Sequence, residues 1–142
     1  MRVGFAYNHG VSSVLTNLFT GSGAYHVFFC DDLHIWDMNL LMRRRLLSEY
    51  DPKNLKFAEC PVEVSVMFLE HKLDTYDEGY GWKDYALFAL RPLYHLFGQS
   101  TRNKGGVICS EMVYEFLIEI GWTQRFVEVP SPADLERVLK PT

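Results

Sequence analysis

Two runs of aromatic and β-branched residues, 24–30 and 33–38, stand on either side of Asp31-Asp32, and they restrict the fold more than any other feature of the chain. Side chains of this kind suit a pleated, half-buried surface, and two short acidic residues between them suit a tight turn. The segment therefore predicts an antiparallel hairpin. With Asp31-Asp32 as the turn, Cys30 faces Leu33, Phe29 faces His34, Phe28 faces Ile35, Val27 faces Trp36, and His26 faces Asp37. Directly opposed residues share a face. His26 and Asp37 are thus expected side by side, with the carboxylate placed to orient the imidazole. A slip of one residue would send them to opposite faces, and a longer turn would offer His34 or a backbone group as the orienting partner instead.

A second feature lies far downstream. Met112, Val113, Phe116, Leu117 and Ile120 recur at three- and four-residue spacing, the pattern of one buried helical face. Cys109 precedes the first two of these by three and four residues, so it falls on the same face and in the first turn. Unpaired backbone N–H groups and the positive end of the helix dipole favour thiolate over thiol there. A helical cysteine on an apolar face ordinarily packs as a small hydrophobe. Here a histidine that could serve as its base stands upstream at His26, and Asp37 completes a nucleophile, base and orienting acid.

The remaining segments supply a framework. Val3, Phe5 and Tyr7 alternate over an opening strand that Asn8-His9-Gly10 ends. Val14, Leu15, Leu18 and Phe19 have helical spacing over 12–19, and Gly21-Ser22-Gly23 leads into the hairpin. Arg43-Arg44-Arg45, between Leu40-Leu41 and Leu46-Leu47, predicts the solvated side of a short helix. Beyond Asp51-Pro52-Lys53-Asn54, residues 55–58 predict a strand. The alternation of Val62, Val64, Val66 and Phe68 predicts another, both extending the hairpin into an antiparallel sheet. The turn-rich aromatic stretch 76–82 carries Tyr76, Tyr80 and Trp82 and leads to a helical run that Pro92 bends or ends. Gly121 stands where a helix terminator belongs, and Ser131-Pro132 with Asp134 marks the start of a last helix.

The 142 residues, 48% hydrophobic and 15% aromatic, suit one globular domain over 1–142 with a sizeable core. A net charge of −4 gives no footprint for nucleic acid or an anionic membrane surface. No apolar stretch approaches the roughly 20 residues of a membrane span. Three cysteines without framework spacing, and a start without a basic-then-apolar leader, suggest free thiols and a cytoplasmic protein. Cys30, Asp31, Asp32 and His34 are of metal-ligating types, but they crowd into one hairpin without the paired spacing of a structural zinc site. Neither a metal nor another cofactor is expected.

In order, these pieces resemble the circularly permuted papain-like amidases of the NlpC-like superfamily, to which the lecithin:retinol acyltransferase-like enzymes are related. The matching stretches are 15–27 (LTNLFTGSGAYHV), Tyr76-Asp77, 108–113 (ICSEMV) and 130–135 (PSPADL), with the histidine strand about eighty residues before the cysteine helix. The resemblance implies an α+β domain, an antiparallel sheet packed on helices. It also implies that Cys109 is the nucleophile and His26 the general base, with a polar residue on the following strand as orienter, where Asp37 falls. In relatives that third position is often histidine, glutamate or an amide. Tyr76, Tyr80 and Trp82 would line the cleft for a peptide, isopeptide or acyl substrate. The competing expectation is a non-catalytic binding or inhibitory module that keeps the fold and engages a protein partner.

Overall fold

In a computed structural model, which describes residues 1–7, 24–39, 41–76 and 109–142, the hairpin residues form the centre of a five-stranded sheet. The strands are β1 (Arg2–Tyr7), β2 (Ala24–Cys30), β3 (His34–Asn39), β4 (Leu41–Leu46) and β5 (Leu55–Glu59). Their order in space is β4-β3-β2-β1-β5, with every neighbouring pair antiparallel. Three helices accompany them among the described residues: α1 (Val66–Thr75), α2 (Cys109–Glu119) and α3 (Pro132–Leu139). The architecture is α+β, and no described helix is long and apolar enough to cross a membrane.

Both faces of the sheet are covered. Val3, Phe5, Val27, Phe29, Trp36 and Met38 meet Leu69 of α1, Leu135 of α3, and Cys109, Met112, Val113, Phe116 and Leu117 of α2. On the other face Ala6, Phe28, Cys30 and Ile35 form a smaller core under Leu47, Tyr50, Leu55 and Phe57. Burial on two sides explains why β1 and β2 read as nearly continuous apolar runs rather than as strict alternation.

The hairpin differs from its expected register in an instructive way. Phe29 pairs with Trp36 and Cys30 with Ile35, a relative shift of two residues. The cause is Asp31. Its Oδ1 accepts the N–H groups of Leu33 at 2.7 Å and His34 at 2.6 Å, so it folds the turn from the flank, and its own N–H bonds the His34 carbonyl at 3.1 Å. The tip is therefore Asp32-Leu33, not Asp31-Asp32. A shift of two preserves the face of every side chain, so His26 and Asp37 still share a face, as diagonal rather than opposed neighbours.

Two other expectations are corrected. Arg43-Arg44-Arg45 lies in β4, not in a helix, because its charges are answered alternately on the two faces: Arg43 and Arg45 reach Asp37, and Arg44 reaches Glu70. Val66 and Phe68 belong to α1, not to a strand, because Ser65 accepts the Phe68 N–H at 3.1 Å and starts a helix within the apparent alternation. The strand over 55–58 forms as β5, but on the edge beyond β1, away from the hairpin. The helix ends fall as expected. Gly121 adopts φ 107° after α2, and Ser131 and Asp134 cap α3 reciprocally. The predicted helix over 12–19 and the run ending at Pro92 lie outside the described residues.

Candidate active site

β2 places His26 next to an irregularity. Ala6 pairs with His26 but Tyr7 pairs with Ala24, which leaves Tyr25 as an extra, bulged residue. The bulge turns Ala24 into the same core as Val27 and Phe29, while Tyr25 stays exposed. Backbone pairing between β2 and β3 is confined to Phe29↔Trp36 and Cys30↔Ile35. Toward His26 the strands are joined by side chains instead: His26 Nε2 and Asp37 Oδ2 are 3.0 Å apart.

Asp37 is the most heavily bonded group in this region. It is fully buried, and besides His26 it accepts Arg43 Nε at 3.1 Å and Arg45 Nη2 at 2.6 Å. Burial alone would push its carboxyl up, but hydrogen bonds and charge from His26 and Arg45 outweigh that and hold it at about 2. A buried carboxylate with three cationic partners is ionised and fixed in place. By engaging Nε2, it also leaves Nδ1 as the free ring nitrogen of His26.

Cys109 is the group that acts on the rest of the His26 ring. Burial works against a thiolate here, yet the Cys109 thiol is lowered by the charge of His26, by a hydrogen bond with it, and by the backbone N–H groups of Val27 and Ser110. A bond to the Val27 N–H places the sulfur against the His26–Val27 peptide of β2, so the start of α2 abuts the strand at the histidine. Conversely, burial works against an imidazolium, but the charge of Cys109 and the Asp37 bond raise His26 to about 9. Each group shifts the other in the direction that separates charge, which favours thiolate beside imidazolium. Cys30 and Cys60 behave oppositely: burial pushes both thiols up to about 12.

The other residues singled out from the sequence that the structure describes fall elsewhere. Tyr76 ends α1, with its hydroxyl bonded to Glu115 at 3.0 Å and its ring edge-on to Phe116 at 5.2 Å. Phe116 is about 10 Å beyond Cys109 along α2, so the structure sets Tyr76 farther down the helix than the sulfur. Tyr80 and Trp82 lie outside the described residues. His34 sits against Asp31 at 3.6 Å and the Trp36 ring, away from His26. Among the described residues no three His, Cys, Asp or Glu side chains converge as a metal site would require.

Arg43 and Arg45 were not singled out, although one signal was available. Asp37 and Arg43 are symmetric about position 40, as are Met38 and Met42, which is the register of a second reversal. Asn39 is the single turn-forming residue at that reversal, without the glycine, proline or aspartate that would have made it conspicuous. Neither a family model nor a curated protein matches the sequence.

Proposed function

We propose that the protein is a cysteine hydrolase, an amidase or peptidase, that works through an acyl-enzyme on Cys109. The observation that carries this reading is the continuous chain from the Cys109 sulfur through His26 to the buried Asp37, with thiol lowered and imidazole raised. A merely structural cysteine in such a core would be expected to shift the other way, as Cys30 does. The α+β architecture, with a histidine strand preceding the cysteine helix, supports the permuted papain-like assignment. The three free cysteines support action in a reducing compartment.

In the proposed reaction the thiolate attacks the scissile carbonyl carbon, a C–S bond forms, and charge develops on the carbonyl oxygen. The Cys109 backbone N–H at the start of α2 is placed to receive that charge, an interaction worth about 3 kcal/mol in acyl-transfer sites. The imidazolium of His26 gives its proton to the leaving amine as the C–N bond breaks. Water then attacks the thioester, its proton passes to His26, and the C–S bond breaks to restore the thiolate–imidazolium pair. Asp37 keeps Nε2 engaged throughout, so that the same nitrogen faces the sulfur at each stage.

Intact-mass measurement after incubation with wall peptides, acyl thioesters and phospholipids tests the reading, with Cys109→Ala as control. A mass gain from peptide donors, absent in the variant, is the expected result. A gain from lipid donors alone would make the protein an acyltransferase. No gain from any donor, together with a Cys109 no more reactive than Cys30 and Cys60, would replace the enzyme with a binding module.

A further inference from the structure

We propose that the cavity beside His26 is a carboxylate-binding subsite in which Arg43 receives a negatively charged group of the substrate; this rests on the acyl-enzyme reading and names its substrate class. The cavity has a volume of about 360 Å³ and opens where β2 and β3 cease to pair, between Tyr25, His26 and Met38 on one side and Arg43, Arg45, Glu49 and Tyr50 on the other. Most of its polar lining is already satisfied, with the buried Arg45 Nε an exception. Arg45 gives Nη2 to Asp37 and to Tyr50 at 3.0 Å, and Nη1 to Glu49 at 2.9 Å. Glu49 also accepts the Leu46 N–H at 3.2 Å.

Arg43 is different. Its Nε is spent on Asp37, which fixes the plane of the guanidinium, while its two Nη groups have no acceptor among the described residues. A held guanidinium with a free edge matches a planar carboxylate, and does so in a way that an ammonium cannot. The Tyr50 hydroxyl accepts from Arg45 and keeps its own proton to donate, and the Tyr25 hydroxyl has no hydrogen-bond partner among the described residues. These directed donors, and not a net positive charge, supply the attraction, since Asp37 and Glu49 already answer the charges of Arg43 and Arg45. Arg43 and His26 sit on the two oxygens of one carboxylate and both line the cavity, so a group bound by Arg43 shares it with the imidazole that acts on Cys109.

The test compares 4-nitrophenyl monosuccinate with the neutral 4-nitrophenyl butyrate as acyl donors to the full chain. Titration calorimetry with succinate and with inorganic phosphate accompanies it. The expected result is a preference of about tenfold or more in kcat/KM for the succinyl ester, collapsing toward one through a raised KM in Arg43→Gln, and also in Arg43→Lys, which keeps the charge but not the fork. No preference in the wild type would overturn the subsite while leaving the thiolate chemistry standing. A loss in both variants that is equal for the two esters, with a displaced pH profile of Cys109 alkylation, would also overturn it, by making Arg43 a positioning residue for Asp37. Should neither ester acylate Cys109, the wider donor panel decides the acyl-enzyme reading and calorimetry decides the subsite. Succinate binding lost in both variants sustains it; no binding, or binding of phosphate alone, overturns it.

Discussion

At the scale of single residues, Cys109, Cys30 and Cys60 make an internal comparison, since all three are at least partly buried, yet burial outweighs the charges of Arg2 and the N-terminus at Cys30 and of the N-terminus at Cys60, whereas His26 and two backbone N–H groups outweigh it at Cys109. Iodoacetamide labelling of Cys109 should set in at lower pH than that of Cys30 and Cys60, whose thiols are pushed up to about 12. Replacing His26 with alanine removes the cation and leaves only the Val27 and Ser110 N–H groups against burial, so the labelling profile of Cys109 should move to higher pH. An unchanged profile would mean that His26 does not control the sulfur. Asp37 acts one step back. Asp37→Ala should slow labelling at neutral pH by about tenfold, the effect of one pKa unit in the thiol, whereas Asp32→Ala should leave it alone, because Asp32 is exposed at the turn tip and bonds Arg2. Equal rates in the two variants would remove Asp37 from the site.

Within the elements, the site depends on the close fit of β1 and β2. Gly4 pairs with Phe28, whose ring lies directly over it, with Cζ only 2.6 Å from where a Cβ would stand. The ring is also a neighbour of the His26 ring, at 5.9 Å between centroids. Gly4→Ala should therefore cost about 1–3 kcal/mol by overpacking, read as a lower urea midpoint at unchanged slope. It should also displace the Cys109 labelling profile, since Phe28 has to move toward His26. Destabilisation with an unaltered profile would show that the ring yields in another direction. The cap of α3 provides a contrast away from the histidine. Ser131→Ala removes the acceptor for the Asp134 N–H and should cost about 1 kcal/mol without changing Cys109 reactivity, so a shifted profile in that variant would tie α3 to the site.

For the molecule as a whole, Asp37 joins the Cys109 site to stability. Its carboxyl is lowered from an ordinary 3.8 to about 2 on folding, so the stabilisation is fully present above about pH 4 and is lost as pH falls through the folded value. The shift corresponds to about 2 kcal/mol. Urea midpoints should accordingly decline between about pH 4 and pH 2 in the wild type and decline less in Asp37→Asn. The variant should be less stable at neutral pH by about 3–5 kcal/mol, because Arg43 and Arg45 lose the acceptor between them. Parallel acid profiles for the two proteins would place the acid-sensitive charge elsewhere.

Much of this was legible in the order of residues, for identifiable reasons. Aromatic and β-branched runs specify strands wherever two faces are covered, three-and-four spacing specifies the Cys109 helix, and the Ser131–Asp134 box and Gly121 specify helix ends through bonds that span a few residues. Local chemistry also put His26 and Asp37 on one face, since a hairpin shifted by two residues keeps its faces. The tertiary structure alone decided the rest. Which residue of Asp31-Asp32 folds the turn depended on where the Asp31 side chain found N–H donors. Whether Arg43-Arg44-Arg45 became helix or strand depended on acceptors at Asp37 and Glu70, which strand pairing and helix packing bring to them. The sulfur of Cys109 meets His26 only because α2 abuts the end of β2, a contact between segments about eighty residues apart that no local rule encodes.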